Sequence, residues 1–191
     1  GMWAAVPARA ADSGATAAGA AADESPINPR YVLLDAHGRM VGNEDFPGRF
    51  QLITFGYTSC PDVCPTTLST MARALQALGP LAERLQLVFI SVDPERDTPE
   101  VLARYTAYFD SRIIGLTGTP DLVRACADHF KVQFRKFREP GAGPKDYAID
   151  HTTGMYLLGP DGSFIRRFAD ATTAASLGEQ LSAVMREEPG R

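Results

Sequence analysis

The stretch that decides the fold runs Phe50-Gln51-Leu52-Ile53-Thr54-Phe55-Gly56-Tyr57-Thr58-Ser59-Cys60-Pro61-Asp62-Val63-Cys64-Pro65. Phe50–Tyr57 is nearly all apolar, with β-branched and aromatic members, the pattern of a strand buried on both faces. Pro65 suits the first turn of a helix, where its missing N–H does no harm. Leu68, Met71, Leu75 and Leu78 then recur at helical spacing as one apolar stripe, and Gly79-Pro80 ends it. Two of the chain's three cysteines therefore sit where a core strand passes into a helix. The free N–H groups and partial positive charge of a helix N-terminus favour thiolate over thiol. A thiolate pair either exchanges with a disulfide or holds a soft metal.

Working outward, Leu85–Val92 is a second buried strand, closed by Asp93-Pro94. Asp97-Thr98-Pro99-Glu100 opens a helix to about Phe109, Ile113–Leu116 is a short strand, and Thr119-Pro120 starts a helix to about Phe130. Lys131–Phe137 reads as extended, and residues 138–149, with Gly, Pro and charges, as a loop. Thr152–Leu158 and Ser163–Ala169 flank Gly159-Pro160-Asp161-Gly162, a hairpin signal, and a last helix covers about Ala171–Met185. Upstream, Tyr31–Leu34 and Arg39–Val41 flank the turn Asp35-Ala36-His37-Gly38. Strands alternating with amphipathic helices specify an α/β layered sheet. A reactive pair after the first core strand and a closing hairpin-then-helix match a thioredoxin-like plan: a central mixed sheet flanked by helices, with an N-terminal β-hairpin extension.

Residues 1–26, rich in Ala and Gly, are expected to be an unstructured tail, with Gly1 an expression scar, and residues 27–191 a single domain. Ala8-Arg9-Ala10 resembles the end of a secretory signal, so an export signal or membrane anchor upstream is expected. The 191 residues carry a net charge of −4 and no Lys/Arg block, which argues against nucleic acid as a partner. No stretch approaches the ~20 apolar residues of a membrane span. Phosphate-loop, haem-attachment and nucleophile-elbow motifs are absent.

The Cys60–Cys64 spacing is one residue wider than the CxxC of thioredoxins, so both sulfurs could face one ion and still close a disulfide. Two thiolates leave a soft ion such as Cu(I) one ligand short of a trigonal site. Of the three histidines, His37 reads as a solvated turn residue and His129 as a helix C-terminal cap. His151 follows a Gly/Pro-rich loop and immediately precedes a strand, where it can project over the sheet end that carries the thiols. Leu122, Cys126 and Phe130 share one helix face, so Cys126 reads as a buried inert thiol. The acids of Asp93-Pro94-Glu95-Arg96-Asp97 read as loop and cap residues, with Asp93 able to approach the site. An open Cys₂His zinc site fits on ligand count, and a blue-copper set fits less well.

Three segments together resemble the Sco/SenC family of copper chaperones for cytochrome c oxidase assembly. Phe55–Pro65 is similar to its CPxxCP segment, Ser91–Pro99 to its second hallmark, and Tyr147–Thr152 with Met155–Gly162 to its histidine segment and hairpin. The resemblance implies a thioredoxin-like fold, Cu(I) or Cu(II) held by Cys60, Cys64 and His151, and a reversible Cys60–Cys64 disulfide without metal. It implies delivery to the dinuclear copper centre of cytochrome c oxidase subunit II, or exchange with other copper-donating or copper-accepting proteins. It implies a place outside the cytoplasm: the bacterial periplasm, inner-membrane anchored or exported, or the mitochondrial intermembrane space. Alternatives are a thiol–disulfide oxidoreductase in which Cys60 and Cys64 form the redox-active pair, a copper or redox sensor, and, least supported, a peroxidase.

Overall fold

The structure is a computed structural model and describes residues 26–187. The expected scar and all but the last residue of the tail expected over residues 1–26 lie outside these residues. The order of elements is β1 (Val32–Leu34), β2 (Met40–Gly42), β3 (Phe50–Gly56), α1 (Val63–Ala77), β4 (Leu85–Ser91), α2 (Pro99–Phe109), β5 (Ile114–Leu116), α3 (Pro120–Phe130), β6 (Phe134–Phe137), β7 (Ala148–His151), β8 (Met155–Leu158), β9 (Phe164–Phe168) and α4 (Ala174–Glu187). Five strands form the central sheet in the order β5-β4-β3-β8-β9. β3, β4 and β5 are parallel, and β8 and β9 complete the sheet antiparallel. This mixed sheet flanked by helices is the thioredoxin-like plan expected from the element order.

β3 lies at the centre, and every one of its residues is buried, as is every residue of β4. Its side chains alternate between faces. On one face Phe55 meets Phe130 of α3 at 5.4 Å between ring centroids, and Phe130 meets Tyr156 of β8 at 5.6 Å. On the other, Gly56 lies beside Cys64 of α1 and Phe89 of β4, and Phe89 faces Tyr105 of α2 at 5.6 Å. Leu68, Met71 and Leu75 of the apolar stripe are each at most 1% exposed. α1 packs against α2 and α4. Thr98 and Thr119 cap α2 and α3, each accepting a backbone N–H three residues on, with Pro99 and Pro120 in the first turn. The β1–β2 hairpin is joined to the sheet by the Leu34–Thr117 bridge. Among the described residues no helix is long and apolar enough to cross a membrane.

Three local readings change. Lys131 is not extended: it closes α3 in the left-handed region at φ 60°, and the strand begins at Phe134. The last helix starts at Ala174, because Thr173 caps it by accepting the Ser176 N–H. The expected 138–149 loop is shorter. Ala148–His151 is a strand, paired antiparallel to β6 from Phe134↔His151 to Phe137↔Ala148. His151 therefore ends β7 and does not abut β8, from which residues 152–154 separate it. One buried apolar residue, Ile149, anchors this four-residue strand, too little pattern to read by alternation.

Phe130 is fully buried between Phe55 and Tyr156, so its truncation leaves a void on that face of the sheet. Phe130→Ala is expected to cost about 3–5 kcal/mol in urea denaturation. A loss under about 1 kcal/mol would show that α3 is not part of the core.

Candidate metal centre

The site begins with the turn between β3 and α1. The Cys60 N–H donates to the Tyr57 carbonyl at 3.2 Å, and Thr58 is tied to Asp97 through its N–H (3.0 Å) and its hydroxyl (2.6 Å). α1 starts at Val63, so Cys64 lies in its first turn and Cys60 just ahead of it. Cys64 is 3% exposed, whereas Cys60 is half-buried. Gly56 makes the approach of Cys64 to the sheet feasible: a methyl there would fall 2.6 Å from Cys64 Sγ and 2.9 Å from the Phe89 ring.

His151 arrives from the other direction, on β7. Its Nε2 lies 3.6 Å from Cys64 Sγ, and the donor atoms of Cys60, Cys64 and His151 all lie within 4.8 Å of one another. Its Nδ1 lies 3.0 Å from the Thr152 carbonyl. A carbonyl only accepts, so Nδ1 carries the proton and Nε2 turns its lone pair toward the thiols. The Tyr57 ring stands edge-on to the imidazole at 6.0 Å, and the Tyr57 hydroxyl accepts the Ile149 N–H at 3.1 Å, pinning β7 to the end of β3. An open groove lined by Gln133, Phe134, Arg135, Asp150, His151 and Thr152 lies alongside.

The two thiols are electrostatically unequal. Burial acts to raise the Cys60 pKa, but the backbone N–H groups of Cys64, Asp62 and Val63, with the Cys64 thiol, outweigh it and bring it below the usual thiol value. Burial pushes Cys64 strongly upward, and proximity to Cys60 adds to that. Cys60 is thus the accessible, more acidic sulfur, and Cys64 the sheltered one that keeps its proton.

The donor set fits a soft three-coordinate ion. Bonds of about 2.0–2.3 Å to a trigonal ion separate neighbouring donor atoms by roughly 3.5–4 Å. The observed 3.6 Å falls in that range, and the 4.8 Å bound leaves about 1 Å to close. The other candidates lie elsewhere. His37 is exposed in the β1–β2 turn and lines a groove between that hairpin and α2. His129 Nδ1 lies 2.8 Å from the Arg30 carbonyl at the end of α3. Cys126 is 1% exposed, and burial pushes its thiol up to about 12, as expected of an inert core thiol. Asp93 and Asp97 are fully buried rather than solvated, and neither caps α2, whose cap is Thr98. Tyr57, Arg96 and Tyr147 were not singled out in the sequence. The Ser91–Pro99 segment of the resemblance is the one signal in the sequence that points to Arg96.

A sequence model of the SCO1/SenC family matches residues 19–186. The chain belongs to the SCO1/SenC family. It is 35% identical over 152 residues to protein sco1 of Schizosaccharomyces pombe, covering 79% of this chain and 58% of that one. It is 37% identical over 162 residues to the human mitochondrial SCO1 homolog, covering 82% and 52%, and 35% identical over 146 residues to a SCO2-like protein of Rickettsia felis, covering 76% and 71%. The chain thus spans about half to seven-tenths of the length of these curated relatives. Among solved structures, copper-bound ScoI of Arabidopsis thaliana superposes with a TM-score of 0.78 at 31% identity, covering 85% of this chain and 99% of that one. Copper-bound ScoI of Bradyrhizobium japonicum gives 0.74 at 36% identity, covering 82% and 98%.

Two outcomes are expected. Iodoacetamide should label Cys60 at least about tenfold faster than Cys64, with a midpoint below the ~8.5 of free cysteine, because a depressed pKa fills the thiolate at lower pH. Peptide mass mapping across pH reads both, and equal rates would contradict the assignment. Gly56→Ala should displace the Cys64 sulfur and raise Cys64 labelling toward that of Cys60.

Proposed function

We propose that this protein is a copper metallochaperone that binds one copper ion through Cys60, Cys64 and His151 and delivers it to the dinuclear copper centre of cytochrome c oxidase subunit II. The observation that carries this reading is the convergence of two sulfurs and one imidazole nitrogen within 4.8 Å, with the nitrogen lone pair already turned inward. Two thiolates select a soft monovalent ion over hard cations, and imidazole completes a low-coordinate site. Copper in the structures of two relatives with the same fold supports the choice of metal. Three ligands leave room for a fourth. A thiolate or imidazole of a recipient can bind copper beside the accessible Cys60 before any donor lets go, which favours passage over storage. The mitochondrial relatives support a place outside the cytoplasm, the intermembrane space or its bacterial counterpart, the periplasm.

Anaerobic titration of the reduced protein against a chromophoric chelator should give one Cu(I) bound per chain. His151→Ala should weaken binding by more than the roughly 10–100-fold that losing an outer partner of a ligand costs. Cys60→Ser should abolish tight binding, and undiminished affinity in that variant would overturn the reading.

The unequal thiols support a second reading, a thiol–disulfide oxidoreductase that reduces the recipient's cysteines. The more acidic, half-buried Cys60 is suited to attack, and the sheltered Cys64 to resolve the mixed disulfide. That exchange needs no imidazole. Exchange activity that survives in copper-free His151→Ala would establish it, and loss of activity would tie the dithiol to the metal alone.

A further inference from the structure

The loop Asp93-Pro94-Glu95-Arg96-Asp97 gives no donor atom to the thiol–imidazole group, yet it reaches both arms of it. Toward the cysteine arm, the buried Asp97 carboxylate accepts three hydrogen bonds: from the Thr58 N–H (3.0 Å), the Thr58 hydroxyl (2.6 Å) and the Ser91 hydroxyl (2.7 Å). Toward the histidine arm, the buried Asp93 carboxylate accepts Arg96 Nε at 2.5 Å and the Tyr147 hydroxyl at 2.5 Å. Arg96 Nη1 then donates to the carbonyls of Lys145 (3.0 Å) and Tyr147 (2.9 Å), just ahead of β7. Its guanidinium carbon lies 3.7 Å from the Tyr147 ring centroid and 5.7 Å from that of Tyr57. Glu95 adds an exposed ion pair to Lys136 of β6 at 2.8 Å.

Wholly buried carboxylates are costly unless every interaction they make is in place. Two in one five-residue loop, each spent on a different arm, point to a purpose beyond closing β4 into α2. β7 needs such help. A two-stranded ladder of four residues is marginal by itself, and its further ties to the core are small: the buried Ile149 side chain, the Ile149–Tyr57 bond and the Tyr57 ring beside His151 among them. Arg96 clasps the chain at its entry to β7, and His151 is the residue at the exit. A fork that grips two carbonyls and a carboxylate at once is a geometry that arginine supplies and lysine does not.

We propose that the 93–97 loop is a bracket that sets the separation between the thiols and the imidazole, with Arg96 the positioning residue for His151 and Asp97 that for the cysteine turn. The role assigned to Arg96 rests on His151 as a copper ligand. In Arg96→Leu the β7 strand loses its entry clasp, the imidazole leaves the thiols, and the dithiol remains.

Two measurements on the full chain test this. In copper-free protein, hydrogen–deuterium exchange of the 148–151 amides should quicken about tenfold in Arg96→Leu, and by less in the milder Tyr147→Phe, while the α1 and β4 amides keep their rates. In Cu(I) competition, Arg96→Leu should weaken binding, and Arg96→Leu/His151→Ala should bind within about twofold of His151→Ala alone, because the two changes remove one contribution. Unchanged β7 exchange in both variants, an equal rise throughout the sheet, or additive losses of affinity would each overturn the bracket. Unweakened Cu(I) binding in His151→Ala would instead overturn His151 as a ligand, and the exchange arm would still judge the clasp.

Discussion

Two sulfurs and one imidazole, with Cys64 and His151 87 residues apart in the chain, must meet within 4.8 Å, and much of the polar architecture serves that meeting. The sheet provides the fixed point. β3 is buried throughout and ends at Gly56, where the absence of a side chain lets the first turn of α1 press Cys64 onto the strand. The imidazole comes from a two-stranded ladder outside the central sheet. One arm is therefore held chiefly by packing, and the other chiefly by hydrogen bonds.

That division explains what the sequence revealed. Features of the packed arm are written in apolar periodicity: the run Phe50–Tyr57, the stripe from Leu68 to Leu78, and the Thr-Pro starts of α2 and α3 all appear where expected. The thiol pair was legible for the same reason, since strand and helix signals bracket it. The other arm is written in residues that mean little alone. β7 has a single buried apolar side chain, and its partner strand reads Phe-Arg-Lys-Phe with three of four residues exposed. Nothing in such a pattern separates strand from loop until the two are paired.

Asp93, Arg96 and Asp97 were hidden differently. A run of acids and prolines after a strand is ordinarily solvated or caps the next helix. Here the cap is Thr98, and the carboxylates turn inward to partners in residues 58, 91 and 147. Burial of a polar group follows from where its partners lie, and two of these partners, Thr58 and Tyr147, are distant in the chain. His151 itself was found, but its tautomer was not. The acceptor that sets it, the neighbouring Thr152 carbonyl, belongs to the backbone and leaves no trace in side-chain identity.

The unequal thiols bear on how a metal is taken up, because sulfur binds it as thiolate and must give up its proton first. Cys60 is the readier of the two, and Cys64, pushed upward by burial, releases its proton only as the ion replaces it. Metal uptake is thus coupled to acidity through one sheltered thiol: the ion is gripped more tightly as the surroundings become more alkaline and is loosened by acid. The pH of the surroundings then becomes a determinant of how firmly a soft ion is held.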